Sequence, residues 1–458
     1  MKKITIFILV VVLVLAALPI VGNKLIENAI DDRLTTLSSY GLEISEAQTD
    51  SSYLTTQKHF KFLLKDSQKL IAYLNQYSDK QIPPYVDAMF EGVLIGADVE
   101  YSNFPLTKDM IINIYPLSLS QKMMQDMKAD DLDFHDYLEK FLHSQGILYH
   151  INYNIVSEDF KGNMKDIKES YTLKDGTILS LNLLNATYSG NGELIAPNSL
   201  ISNIEKINLV VQNKEEKLTF ILDDFSSSSV FESQSTYITG GDLKKIQLSI
   251  DAVDANLFFN ASDIKVNFSS NSQGEKTELN SRSSLSALSI QSDKIDLVIK
   301  DFIYDMAISG LDKDSLEELR ILTSQLKASS SKRAQKEIQN AAIKLISHGL
   351  EVDIAKLSLE NITLNQVENL EGFSVQSKLQ IREDKDFAQK IKFSPLLVLN
   401  NLDMNIKVKV SQALYAKLNS AIPMTSMVSR YAKNDTKSVL FDIAFINGEL
   451  LINGQALQ

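Results

Sequence analysis

The hydrophobic pattern changes character three times along this chain. Residues Ile4 to Val21 are almost all apolar and contain no ionisable side chain, behind Lys2-Lys3 and ahead of Gly22-Asn23-Lys24. At ~1.5 Å rise per helical residue this run covers about 27 Å, close to the ~30 Å hydrocarbon core of a bilayer. Cleavage as a secretory signal needs small residues at the first and third positions before the cut. A cut after Gly22 would put Ile20 at the third position, and one after Ala17 would put Leu15 there. A retained signal anchor over 1–22 is therefore expected. The lysines before the run place its N-terminus in the cytoplasm and the rest of the chain across the membrane.

Ile26, Ile30, Leu34 and Leu37 then recur at helical spacing, so an amphipathic stalk is expected over 23–41, ending at Gly41. A second helical pattern follows Lys65, with Leu70, Ile71 and Leu74 on one side and Pro83-Pro84 as its stop.

From Gly92 the period shortens to two. In Ile147 to Ile155 large apolar residues fill every odd position, the pattern of a half-buried strand. Similar stretches run from Ile178 to Tyr188, Ile204 to Val211, Leu218 to Leu222, Ile246 to Ile250, Ile264 to Phe268, Ile295 to Ile303, Val352 to Leu359, Phe373 to Ile381, Met404 to Val410 and Val439 to Phe445. Asp175-Gly176, Asn191-Gly192, Asn447-Gly448 and Asn453-Gly454 readily supply positive φ for tight hairpin turns, so antiparallel pairing is predicted. The polar residues between the apolar ones predict sheets covered on one face. No repeat of fixed period is evident.

Helical interruptions are predicted from Met123 to Gln145, from Asp314 to Leu326, from Lys332 to His348, and from Ser411 to about Lys433 with a kink at Pro423. The fold class is α+β: a transmembrane helix, then a β-dominated body of long antiparallel sheets with a few helices. Its regions are the anchor at 1–22, the stalk at 23–41, a β-rich periplasmic region with inserted helices at 42–310, a helical pair at 311–350, and a C-terminal α+β region at 351–458 that ends in a hairpin.

Composition narrows the chemistry. The chain has no cysteine, which removes disulfides, thiolate nucleophiles, cysteine-based zinc sites and a lipidated-cysteine anchor. Its net charge of −12 repels phosphate backbones, so nucleic acid is not an expected partner.

Candidate motifs have plain structural readings. Asp131, His135, Glu139 and His143 are four apart and would share one helical stripe. Two histidines eight apart lie about 12 Å apart along the axis, too far for one ion, and a solvated face is the expectation. Ser329-Ser330-Ser331-Lys332 has Ser-x-x-Lys spacing, yet neither Ser-Asp-Asn nor Lys-Thr-Gly accompanies it, and it reads as a link between helices. Gly190-Asn191-Gly192 begins like a dinucleotide fingerprint, but Ile195 stands where the third glycine should be, so a hairpin turn is expected. Met123, Met124 and Met127 read as core filling. The five histidines are scattered, and no catalytic, cofactor-binding or metal-ligating residue is assigned.

Three segments carry a family resemblance. The stretch Ile44 to Gln57, the Asn103-Phe104-Pro105-Leu106 turn and the C-terminal run Phe445 to Gln455 resemble segments of the YdgA-like family, a bacterial domain of unknown function. Ser102 and Asn103 depart from the Gly-Pro that precedes the phenylalanine in that family. The resemblance implies an inner-membrane anchor with a periplasmic body, and it brings no reaction and no functional residues. The expected role is non-enzymatic binding or scaffolding in the cell envelope. Alternatives are a carrier of acyl chains in an apolar β-groove, an adaptor docking a membrane protein complex, and a hydrolase. The inner membrane is the first expected partner, with lipid or an envelope protein as the second.

Overall fold

The structure, a computed structural model, describes residues 30, 34, 38–76, 91–104, 109–144, 148–193, 197–233, 235–253, 255–324, 332–365, 368–421, 428–446 and 448–457. The predicted anchor, most of the predicted stalk, Pro83-Pro84, Pro105-Leu106, Pro423 and the Ser329-Ser330-Ser331 link lie outside the described residues. Among the described residues, no helix is long and apolar enough to cross a membrane. The chain divides into two compact units, Met1–Glu205 and Lys206–Gln458.

In the first unit, β1 (Leu42–Ser51), β2 (Thr55–Leu64), β3 (Leu94–Ser102), β4 (Asp109–Ser118), β5 (Tyr149–Asn154) and β6 (Asp159–Met164) pair antiparallel in sequence order. A hairpin of β7 (Ile167–Thr172) and β8 (Ile178–Leu184) follows, and β9 (Thr187–Gly192) returns to pair with both β6 and β10 (Pro197–Gln212). Helices α1 (Ser67–Gln76), α2 (Gln121–Asp130) and α3 (Leu132–Ser144) interrupt the strands.

Period two explains the core. Thr56, Lys58, Phe60, Phe62 and Leu64 alternate as the buried side of β2. The same face continues through Tyr101, Met110, Ile151, Tyr153 and Phe160 on its neighbours. Ile30 and Leu34, two apolar positions of the predicted stalk, pack into this core. Gly190 lies beneath the Phe160 ring, and a Cβ there would stand 2.5 Å from Phe160 Cζ and 2.0 Å from the Ser199 carbonyl oxygen.

Asn103 is buried at the end of β3 and ties it to the β1–β2 turn. Its Oδ1 accepts from Thr56 Oγ1 at 2.8 Å, and its Nδ2 donates to the Ser52 carbonyl at 2.8 Å. Asn103→Ala removes the amide's bonds to the Ser52 carbonyl and to the Thr56 hydroxyl, which keeps its contact with Ser51 Oγ at 2.7 Å. It is expected to lower stability by about 1–3 kcal/mol in chemical denaturation.

The second unit is built on longer strands: β11 (Glu216–Ser233), β12 (Thr236–Ala252), β13 (Ala255–Gln273), β14 (Lys276–Ser292), β15 (Asp296–Asp312), β16 (Leu350–Leu364), β17 (Glu368–Ile381) and β18 (Leu402–Ser411). They pair antiparallel in sequence order. The short β19 (Lys433–Asn434) and β18 both pair with β20 (Ser438–Ile446), which continues to β21 (Glu449–Ile452) and β22 (Gln455–Ala456). Helices α4 (Lys313–Ser324) and α5 (Lys332–Ser347) sit between β15 and β16, whereas α6 (Phe387–Phe393), the 3-10 segment Pro395–Asn401 and α7 (Gln412–Ala421) flank β18.

Three expectations are corrected. The helix predicted from Met123 to Gln145 is two helices, because Asp131 ends α2 and caps α3. The helix predicted from Ser411 to about Lys433 is helical at Gln412–Ala421 and again at Val428-Ser429, with 422–427 outside the described residues, and it stops short of Lys433, which is in a strand. Finally, Asn191-Gly192 stands at the end of β9 beside the expected hairpin turn and not within it: Asn191 pairs with Ser199 and Asp159, and Gly192, at φ 104, pairs with Pro197 to close the β9–β10 hairpin. Asp175-Gly176 and Asn453-Gly454 do lie at turns, with Gly176 at φ 86, Asn453 at φ 51 and Gly454 at φ 80.

A repeat that sequence reading does not find also emerges. Asp224, Asp263 and Asp301 have φ near +50 inside β11, β13 and β15, at spacings of 39 (224 to 263) and 38 (263 to 301) residues. Each is followed by a large apolar residue: Phe225, Ile264 or Phe302. The registers place Asp224, Lys244, Asp263, Ser286, Asp301 and Glu360 opposite one another in one transverse row, and every ladder from β11–β12 to β15–β16 skips that rung. At the row the apolar spacing lengthens from two to three, as in Leu222 to Phe225, Leu243 to Ile246, Ala261 to Ile264 and Ile299 to Phe302. Strict alternation would throw the apolar set to the opposite face at this point. The additional residue, left-handed on every second strand, keeps it on one side.

Candidate functional site

The residues singled out in the sequence resolve mainly into structure. Asp131 Oδ1 accepts from the backbone N–H groups of Asp133 and Phe134, each at 3.0 Å, and Oδ2 accepts from Lys174 N at 3.3 Å. It is an N-cap that also holds the β7–β8 hairpin. The Phe134 hydrogen bond is the main cause that holds its carboxyl below the usual carboxylate range. Asp384, beside Lys390 and Asn401, and Asp435, bonded to Thr436, are lowered in the same way.

Folded-state depression means that the stabilisation is present above the unfolded carboxylate pKa of about 3.9 and is lost as pH falls through the lower folded value. Thermal midpoints are therefore expected to fall on acidification below about pH 4. Asp131→Asn keeps a capping side chain without its charge, and should show a shallower acid dependence in the same melts.

His135, Asp136 and Glu139 bring ligand atoms within 4.8 Å of one another. His135 Nδ1 lies 3.1 Å from Asp136 Oδ1, and Asp136 and Glu139 are exposed. His143 is not part of the group, and the Asp131 carboxylate is occupied as a cap. The pairing of His135 with Asp136 gives a largely buried imidazole a polar partner, which is a structural role. On the other side of α3, Tyr137 stacks on Tyr171 at 4.3 Å and donates to Glu169 at 3.0 Å. Burial and that hydrogen bond push the Tyr137 hydroxyl up to about 12, so it stays protonated. Met123, Met124 and Met127, expected in the core, are only half-buried, and α2 buries no residue. A cleft in the first unit around Gly41, Glu43, Lys65 and Asp66 is polar, and four of its charges pair with one another, Lys65 with Glu43 at 2.7 Å and Lys69 with Asp66 at 3.5 Å.

The feature that remains without a partner is a surface. In the second unit, Phe220, Leu248, Phe259, Ile290, Leu297 and Leu364 face one another strand by strand. Two residues further along lies the row Leu222, Ile246, Ala261, Leu288, Ile299 and Ile362. Ala261 is buried and Leu364 exposed, and the others are half-buried. The contrast with the first unit decides the matter. There a similar apolar face is buried to below a tenth of its surface, at Phe60, Tyr101 and Phe160 for example. Within β11 to β17, the described residues buried to that degree are Ala261, Ser270, Thr277, Leu311 and Leu359. The rows shield one another sideways, and among the described residues of the second unit no element is layered across them.

A family description, bacterial protein of unknown function (DUF945), matches residues 180–458. The chain belongs to this DUF945 family. The DUF945 match begins inside β8 and takes in every residue of the two apolar rows, so the uncovered face lies within the part that defines the family. No curated protein and no solved structure matches the chain.

Sequence reading names several of these strands but no functional residue on them. The rows exist only after pairing brings together positions from six strands. The signal that would reveal them is the three-residue apolar step beside an aspartate, recurring every 38 or 39 residues.

Proposed function

We propose that this DUF945 protein is a non-enzymatic binding protein of the bacterial cell envelope, and that the open apolar face of its second unit holds lipid acyl chains. Residues 1–22 anchor it in the inner membrane with the N-terminus cytoplasmic and the body periplasmic, in line with the YdgA-like resemblance of its end segments. The observation that carries this reading is the uncovered pair of in-register rows.

These rows present aliphatic and aromatic carbons without charges over six adjacent strands. At ~4.8 Å between strands, six strands span about 24 Å, an elongated surface suited to a flexible chain. Each methylene that leaves water there contributes about 0.8 kcal/mol, with no need for directional bonds. A contiguous apolar surface that keeps part of its area open to solvent marks an interaction site.

The test uses the full-length chain in native membranes with a phospholipid that carries a photoreactive diazirine in its acyl chain. Adducts on peptides from β12 to β14 are expected, and Leu248→Glu with Phe259→Glu should abolish them while the anchor peptide remains labelled. Labelling of the anchor alone in the unaltered chain would end the acyl-chain reading, and a single cross-linked protein on the face would point instead to an adaptor. Topology is read separately: a reporter fused after Gln458 should be active only on the periplasmic side.

A further inference from the structure

The acidic and histidine stripe of α3 is too long for one ion if His135 and His143 must share it, and the fold replaces the distant member with a close one. His135, Asp136 and Glu139 each bring one ligand atom to a common point, all within 4.8 Å of one another. His135 and Glu139 are four apart and share one side of the helix. Asp136 flanks them, with its Oδ1 3.1 Å from His135 Nδ1. This turn of α3 is firmly held: Asp131 caps the helix, Phe134 and Tyr137 pack on Tyr171, and Leu142 is buried. His135 keeps 9% of its surface, so its imidazole is fixed in place, while Asp136 and Glu139 are exposed and free to close on a shared point.

We propose that His135, Asp136 and Glu139 form a binding site for one Zn²⁺ ion. Zinc takes histidine nitrogen at about 2.0–2.1 Å and carboxylate oxygen at about 2.0–2.2 Å, which sets neighbouring ligand atoms of a tetrahedral ion about 3.4 Å apart. His135 and Asp136 already stand near that spacing, and rotation of the Glu139 side chain closes the third side. Water fills the fourth position. An imidazole beside two carboxylates selects zinc over Mg²⁺ and Ca²⁺, which prefer oxygen ligands throughout. Charge acts in the same direction, because from Asp126 to Lys140 six acidic side chains face two lysines. Lys174 pairs with Asp131 and Asp133, and among the described residues no lysine or arginine pairs with Asp136 or Glu139. The His135–Asp136 contact gives the imidazole a polar partner with or without the ion, so the site assembles with the fold and does not wait for metal. It lies in the first unit, outside residues 180–458, and is independent of acyl-chain binding by the open face.

The test titrates zinc chloride into the full-length protein in detergent after removal of metal with a chelator. Calorimetry is expected to show one saturable site that Mg²⁺ at the same concentration neither fills nor blocks. Co²⁺ in place of zinc should give the visible absorption of a four-coordinate ion. Glu139→Gln changes an exposed side chain and should weaken zinc at least about tenfold, since even partners outside the ligand set cost roughly 10–100-fold. Asp136→Asn should act in the same direction, and His143→Gln, exposed on the same helix, should bind as the unaltered chain does. Circular dichroism reports that each variant keeps its fold. The proposal fails if zinc gives no saturable heat, or if Glu139→Gln binds it as tightly as the unaltered chain. It fails equally if His143→Gln loses the ion, or if Mg²⁺ displaces it.

Discussion

Replacing Asp224, Asp263 and Asp301 together by valine is expected to lower the stability of the second unit by about 3–6 kcal/mol. All three hold φ near +50, where a β-branched side chain crowds its own backbone at a cost of roughly 1–2 kcal/mol per residue. The sites are on alternate strands, about 9.6 Å apart, far enough for their effects to add. Glycine at the same three positions tests the cause. It accepts positive φ without strain, so the triple glycine variant should stay within about 1 kcal/mol of the unaltered chain in urea denaturation. Equal losses from valine and glycine would show that carboxylate contacts such as Lys244–Asp224 at 3.1 Å, and not the backbone, are what matters.

Gly372→Ala should cost about 3 kcal/mol, the upper part of the range for forced overpacking. Gly372 continues the transverse row on β17, opposite Glu360 between the pairs Leu359–Phe373 and Asn361–Glu371. A Cβ there would stand 1.9 Å from the Leu359 carbonyl oxygen and 2.7 Å from its carbon, both backbone atoms that no rotamer change can clear. The strands must part or bend more sharply. Hydrogen exchange should report this as lost protection in β16 and β17, with β11 and β12 unaffected.

The transverse row also explains how much the sequence could reveal. Ile147 to Ile155 keeps a strict period of two and is found close to its predicted place, as Tyr149–Asn154. Leu218 to Leu222 is read as five residues and proves to be the start of the 18-residue Glu216–Ser233. The apolar phase slips between Leu222 and Phe225, and Ser226-Ser227-Ser228-Ser229 then supplies no alternation at all. The same slip hides the first halves of β12 and β13, of which the sequence names only Ile246 to Ile250 and Ile264 to Phe268. Serine-rich strands persist because ladder bonds on both sides and apolar neighbours across the row hold them, and neither can be counted from one segment. Asp131 misleads for a local reason: its spacing to His135 fits one helix, but its side chain satisfies the first backbone donors of a new one. The antiparallel hairpins and one-sided sheets follow from the turn dipeptides and the polar alternation. The open face does not, because whether a layer lies across it depends on where distant helices settle.

Because the slip occurs at the same level on successive strands, the pairs β11–β12 and β13–β14 are self-consistent modules of 39 and 38 residues. Excising one such module, or copying it, would leave its former neighbours able to zip together with their ladders and greasy rows still aligned. Chains of this kind can therefore change their width by whole hairpins, lengthening or shortening the surface they offer while the ends stay as they are.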